Sequence, residues 1–305
     1  MAQNRSPGLL FLAGVNALID TIRRRRLGAL AALRGRRLPL GILAAAVIAM
    51  PTTGAEANDA NAGASCCNVL ELRQYTLYPG RQDLFVDLFD RVFADPLDAT
   101  GMTVVGQFRD LDRPDRFVWM RGFQTMAARA RELAAFYDSD LWHAHRSEAN
   151  ASIADSDNVL LLEPASPSLR FKDVPPRPSA ADTTASSGLF VVTLYDAKPE
   201  MLASFGALFE RSLRARMEAT GGTTLATYVT SAQPNNFPRL PIRMGEHIYI
   251  WVARFKDTQA YAAYQKRLEA DRRWSHTLWP AARDQLSREP EVLRLTPTPR
   301  SRLRG

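Results

Sequence analysis

The sequence predicts an α+β protein made of two tandem ferredoxin-like units, each of order β-α-β-β-α-β, whose sheets cover one another. Three observations carry this. The chain matches itself: Tyr75, Pro79, Phe85, Leu88, Phe89, Arg91 and Ala99-Thr100-Gly101 align with Tyr195, Pro199, Phe205, Leu208, Phe209, Arg211 and Ala219-Thr220-Gly221 at an offset of 120. The insertion QPNNFPRLPIRM (233–244), 12 residues long, then moves the offset to 132, and Trp119, Phe123 and Trp142 meet Trp251, Phe255 and Trp274. Finally, the apolar period switches between 2 and 3.6 in the order expected of a split βαβ unit. One such unit has helices on one sheet face only, and the second copy is the natural cover for the other face.

The elements of the first copy follow in order. VLELRQYTL (69–77) is β-rich and half alternating, a strand. Residues 81–97 place Leu84, Phe85, Leu88, Phe89 and Val92 on one face of a helix. TVVGQFRDL (103–111) and DRFVWMRGF (115–123) flank Asp112-Arg113-Pro114 and read as a hairpin. Residues 125–136 and 139–153 are helical, and 158–163 is a last apolar strand. Copy one thus covers 68–165 and copy two 188–298. Between them 166–187, rich in Pro and Ser, reads as an extended linker. Residues 299–305 read as a basic tail.

Before the first copy, residues 1–67 read as a leader and a flexible lead-in. The 13-residue apolar run LPLGILAAAVIAM (38–50) follows Arg34, Arg36 and Arg37 and precedes small residues, which is the plan of a signal peptide or twin-arginine-like leader ending within 1–62. It predicts export to a periplasmic or extracellular location, with an uncleaved membrane anchor as the alternative. No membrane span is expected in the mature body. Cys66 and Cys67, the only cysteines, leave a vicinal disulfide open, but the lead-in reading favours two cysteines in a flexible segment.

Charge excludes one class of partner. The formal charge of +7 sits at the chain ends: residues 1–50 hold eight arginines against Asp20, and Arg300, Arg302 and Arg304 close the chain. The body between is nearly neutral, so no nucleic-acid partner is expected.

The strings V-L-E-L-R-Q-Y-T-L-Y-P-G (69–80) and F-V-W-M-R-G-F (117–123) resemble the NIPSNAP family. The resemblance covers copy one well and copy two more loosely, where E-L-R-Q-Y becomes V-V-T-L-Y. It implies the dimeric α/β-barrel group, here as an intramolecular pseudo-dimer, with further oligomerisation open. It implies no single reaction. Relatives in that group include cofactor-free monooxygenases, haem-binding proteins and peroxidases, although the G-x-x-D-G signature of dye-decolourising peroxidases is absent here.

Strand alternation gathers Glu71, Arg73 and Tyr75 on one side of the first strand, with Arg109, Trp119 and Arg121 on matching sides of the hairpin. If the apolar sides face the helices, these six converge on the barrel interior as a pocket for a small anionic or aromatic ligand, since guanidinium forks suit carboxylate or phosphate. The same set also fits a structural ion-pair network. Copy two has Val191, Thr193, Val229 and Ala253 in the places of Glu71, Arg73, Arg109 and Arg121, so any ligand falls to copy one. His143 and His145 are the candidates for a catalytic base or a haem ligand, the route to an oxygenase or peroxidase-like enzyme. They lie about 200° apart on a helix, which excludes a shared metal. No metal and no resident cofactor is expected. A third function class is an interaction module using the Pro-rich loop 233–244.

Overall fold

A computed structural model describes residues 66–182 and 188–304. The leader and signal expectations for 1–62 lie outside these residues. Each half runs strand, helix, hairpin, helices, strand. The first holds β1 (Val69–Leu77), α1 (Gln82–Leu88), α2 (Ala94–Ala99), β2 (Thr103–Asp110), β3 (Arg116–Phe123), α3 (Met126–Tyr137), α4 (Asp140–Asn150) and β4 (Ile153–Pro164). The second holds β5 (Leu189–Asp196), α5 (Leu202–Leu208), α6 (Arg214–Ala219), β6 (Thr223–Thr230), β7 (Ile248–Phe255), α7 (Thr258–Ala270), α8 (Trp279–Arg283) and β8 (Glu291–Pro297). All eight strands close into one antiparallel barrel in the order β1-β3-β2-β8-β5-β7-β6-β4. Closure leaves no free sheet edge. Among the described residues no helix is long and apolar enough to cross a membrane.

A wide π turn, Phe89–Phe93, joins α1 to α2 and shifts the helix register, so Phe85, Phe89, Phe93 and Leu97 are buried while Leu84, expected inside, is 58% exposed. Phe209–Leu213 does the same between α5 and α6. In each turn the second residue is an acid that clamps a strand: Asp90 accepts from Gln107 Nε2 at 2.9 Å, and Glu210 from Thr227 Oγ1 at 2.9 Å. The Thr-Gly pairs end both helical segments because Gly101 and Gly221 take positive φ, 105° and 112°.

The barrel interior is aliphatic and aromatic. Leu70 and Leu72 of β1, Val118 and Met120 of β3, and Val192 and Leu194 of β5 are 4% exposed or less, and every strand contributes to this core. Eight strands leave a lumen that side chains fill. The expectation that apolar sides face the helices is therefore reversed. Glu71, Arg73, Tyr75, Trp119 and Arg121 lie on the helix-facing side, outside the lumen. Alternation marked two faces, but both faces are buried, and the narrow lumen selects the aliphatic set.

Three further expectations are corrected. Cys66 and Cys67 do not lie in a flexible lead-in; they form a disulfide, buried within the barrel core against Gly122. The linker is not simply extended, since Phe171 enters the same core and Arg177 pairs with Asp98 at 2.7 Å. The basic tail is docked: Arg300 pairs with Asp95 at 2.8 Å and Arg302 with Asp98 at 2.8 Å, while Leu303 joins the barrel core.

Candidate functional site

Between β1, β3 and α3 lies one buried carboxylate with three buried guanidiniums. Cross-strand pairing sets Glu71 opposite Arg121 and Arg73 opposite Trp119. Thr125 caps α3 by accepting from Ala128 N at 3.0 Å, which fixes the helix start and aims Arg129, its fourth residue, at the sheet. Glu71, Arg73, Arg121 and Arg129 are each 1% exposed or less.

Glu71 takes more donors than a carboxylate can serve. Its Oε2 accepts from Arg73 Nη1 at 2.7 Å and Arg121 Nε at 2.8 Å, with Arg121 Nη2 also 2.7 Å away. Its Oε1 accepts from Arg129 Nε at 2.7 Å, with Arg129 Nη2 at 2.7 Å. Five nitrogens compete for about four lone-pair sites. Consequently Arg121 Nη2 and Arg129 Nη2 are paired by charge but make no aligned hydrogen bond; separately, Trp119 Nε1, buried beside them, has no acceptor. Three cations against one anion leave a formal +2 among these four side chains.

Aromatic rings enclose this charge. The Arg121 guanidinium carbon lies 5.0 Å from the Trp119 ring centre, and that of Arg73 lies 5.4 Å from Tyr75. Arg73 Nε donates to Tyr75 Oη at 3.0 Å and Arg121 Nη1 to Tyr137 Oη at 3.5 Å. Burial alone would raise the Glu71 pKa, but Arg121, Arg73 and Arg129 outweigh it and hold the carboxyl far below its usual range. Burial pushes the Tyr75 phenol up. Arg129 is pulled down, by burial first, with Glu71 opposing and its like-charged neighbours Arg121 and Arg73 adding to the fall.

The cover comes from the other half. The loop between β6 and β7 sends Asn235 and Asn236 over the cluster, their Oδ1 atoms accepting from Arg129 Nη1 at 3.1 and 2.7 Å. Phe237 is buried 6.1 Å from Tyr137, ring centre to ring centre.

Of the six predicted site residues, five meet here, on the helix side of the sheet. Arg109 does not: it sits at the far end of β2, bonded to Gln82 and Asp83 of α1. Arg129, Asn235 and Asn236 escaped sequence reasoning. For Arg129 a signal existed, because it shares the apolar stripe of Leu133 and Phe136 at helical spacing. The Asn pair could not be placed, since loop docking across the halves leaves no local trace. The loop 233–244 is thus engaged with its own chain at Phe237.

The histidines lie elsewhere. His143 is exposed on α4, and His145 spends Nδ1 on Glu148 at 3.4 Å and its ring edge on Phe93. An open depression lined by Asp95, Thr100, Phe136 and Leu141 contains neither histidine and none of the predicted ligand residues. An exposed His143 and a His145 already engaged with Glu148 and Phe93 do not fit a haem. No group of three or more His, Cys, Asp or Glu among the described residues is placed to hold a metal ion.

The NIPSNAP family model matches residues 190–302, the second half. The resemblance read at 69–80 and 117–123 therefore has its counterpart in the half where the sequence looked more divergent. No curated protein matches the chain. Among solved structures, an anthrone oxidase-like protein is 12% identical, covering 77% of this chain and 93% of its own, with a TM-score of 0.48. A chlorite dismutase from Candidatus Nitrospira defluvii, in complex with imidazole, is 10% identical over 78% of this chain and 93% of its own, TM-score 0.42. A NIPSNAP family protein from Agrobacterium tumefaciens str. C58 is 16% identical over 38% of this chain and 90% of its own, TM-score 0.31.

Proposed function

We propose that the chain binds a small anion, a carboxylate or an oxyanion of similar size, in the helix–sheet layer of its first half. The observation that carries this is the donor surplus around Glu71: a formal +2 and an orphaned indole N–H, both out of water. Buried donors normally find partners, and a set left without them calls for an acceptor from outside. Arg73, Arg121 and Arg129 supply the charge in this reading, and Trp119 Nε1 supplies a directional donor. Glu71 holds the three guanidiniums together so that the layer folds in the ligand's absence. The role is binding, and no bond-making step is assigned.

Titration calorimetry with acetate, phosphate and sulfate tests it. One of these anions is expected to bind, and Arg129→Ala is expected to abolish the heat. Trp119→Phe, which removes the donor and keeps most of the ring, is expected to weaken binding about tenfold. No heat from any of the three, or binding indifferent to Arg129, overturns the reading. We also infer export of the protein; the Cys66–Cys67 disulfide supports an oxidising compartment. Cell fractionation that leaves the mature chain in the cytoplasm would refute it.

A further inference from the structure

The cover over the cluster has the chemistry of a ligand. The connection between β6 and β7 runs from Ser231 to His247, whereas its counterpart between β2 and β3 runs only from Leu111 to Asp115. The extra length reaches across to the first half and presents two kinds of group there. Asn235 and Asn236 place two amide oxygens on one guanidinium nitrogen of Arg129. The next residue, Phe237, inserts a single ring beside Tyr137, which itself lies 4.9 Å from Trp142. Two oxygens on an arginine and one ring among rings is the outline of an aryl carboxylate.

The imitation is incomplete in one respect. The amide oxygens are neutral, so the formal +2 remains, and a carboxylate in their place would form the stronger, charge-assisted bonds. The loop is anchored by the buried Phe237 ring, with Leu240 and Ile242 packed beside it, while its polar ties lie towards the rim. Arg239 pairs with Asp138 at 2.6 Å with both partners largely exposed, a contact of small worth. Asn236 Nδ2 donates to Met126 O, and Arg243 N to Val159 O, bonds that water can replace.

We infer that Asn235, Asn236 and Phe237 are a built-in stand-in for the ligand, and that the ligand which displaces them is a single-ring aromatic carboxylate. This rests on the anion site proposed above and specifies what enters it and what must leave. The loop competes with the ligand for the site, so the free protein binds with an affinity lowered by the fraction of molecules in which the loop is seated.

Hydrogen exchange of the full chain, with and without phenylacetate, benzoate or acetate, separates the outcomes. Phenylacetate or benzoate is expected to bind at least about tenfold more tightly than acetate and to speed exchange at the Phe237, Leu240 and Arg243 amides, which are hydrogen-bonded in the seated loop. Phe237→Ala is expected to tighten phenylacetate binding about tenfold by removing the competitor. If that variant fails to fold, the exchange data on the unaltered protein decide alone. Equal affinity for acetate and phenylacetate, with exchange in 231–247 unchanged or slowed, overturns the stand-in and leaves the anion site intact. No binding by any of the three, with phosphate and sulfate also silent, removes both.

Discussion

The two halves build the same layer from the same parts and finish it differently. In the second half the layer is satisfied: Trp251 Nε1 donates to Thr224 Oγ1 at 3.0 Å, and Tyr249 Oη donates to Glu210 Oε1 at 2.7 Å. In the first half the indole at the corresponding place is Trp119, but Val104 stands where Thr224 stands, and Nε1 is orphaned. Glu71 opposite Arg121 becomes Val191 opposite Ala253. Arg129, fourth residue of α3, becomes Tyr261, fourth residue of α7, which stacks on Tyr264. A handful of substitutions on one scaffold therefore separates packed structure from an unbalanced charge cluster. The buried charge cluster of this barrel lies on the helix-facing side of one half, and the lumen is packed with apolar side chains.

This contrast can be broken by experiment. The largest effect is expected from Glu71→Gln, which strands three buried guanidiniums and should cost about 3–5 kcal/mol in urea unfolding. A loss below about 1 kcal/mol would show that the cations find other partners. Replacing the whole cluster by the second half's residues, Glu71→Val, Arg73→Thr, Arg121→Ala and Arg129→Tyr together, should recover most of that loss, because charge and counter-charge leave together. It should also abolish anion binding.

Acid sharpens the same point. The Glu71 pKa is depressed in the folded state, so its contribution is fully present above the ordinary carboxylate value of about 4.5 and fades as pH falls below it. The stability gap between the unaltered protein and Glu71→Gln should narrow on acidification below that value. A gap that widens there would contradict the assignment of charge.

Gly122→Ala ranks next. A Cβ there would lie 2.1 Å from Cys67 Sγ and 2.9 Å from Cys66 Sγ, so a loss of about 1–3 kcal/mol is expected in thermal unfolding. The smallest effect is the most specific. Val104→Thr offers Trp119 Nε1 the acceptor its counterpart has, and should gain about 1 kcal/mol of stability while weakening the anion. Unchanged binding in that variant would remove Trp119 from the site.

The sequence announced much of this and concealed the rest for physical reasons. Element order and strand parity were legible because periods of 2 and 3.6 are local properties of the chain. Which face looks inward was not, since alternation separates two sets without naming the buried one, and here both are buried. Arg73 and Arg121 were found by parity on their strands. Arg109 passed the same test and failed, because parity fixes the face and not the position along it. Arg129 required reading a helix stripe and a strand face together. The docking of Arg300 and Arg302 on Asp95 and Asp98 is a long-range contact, and the tail's composition spoke only of solvent.

The crossing of the loop from the second half onto the first has a genetic consequence. A homodimer of first halves would carry two charge clusters and no cover, and a homodimer of second halves two covers with nothing beneath. Only the mixed pair has one of each, and encoding both halves in a single reading frame fixes that ratio in every molecule made. Under this arrangement the halves are free to diverge at Glu71, Arg129 and Asn236, because a change in one always meets the same partner. Covalent fusion thereby keeps each charge cluster under one covering loop.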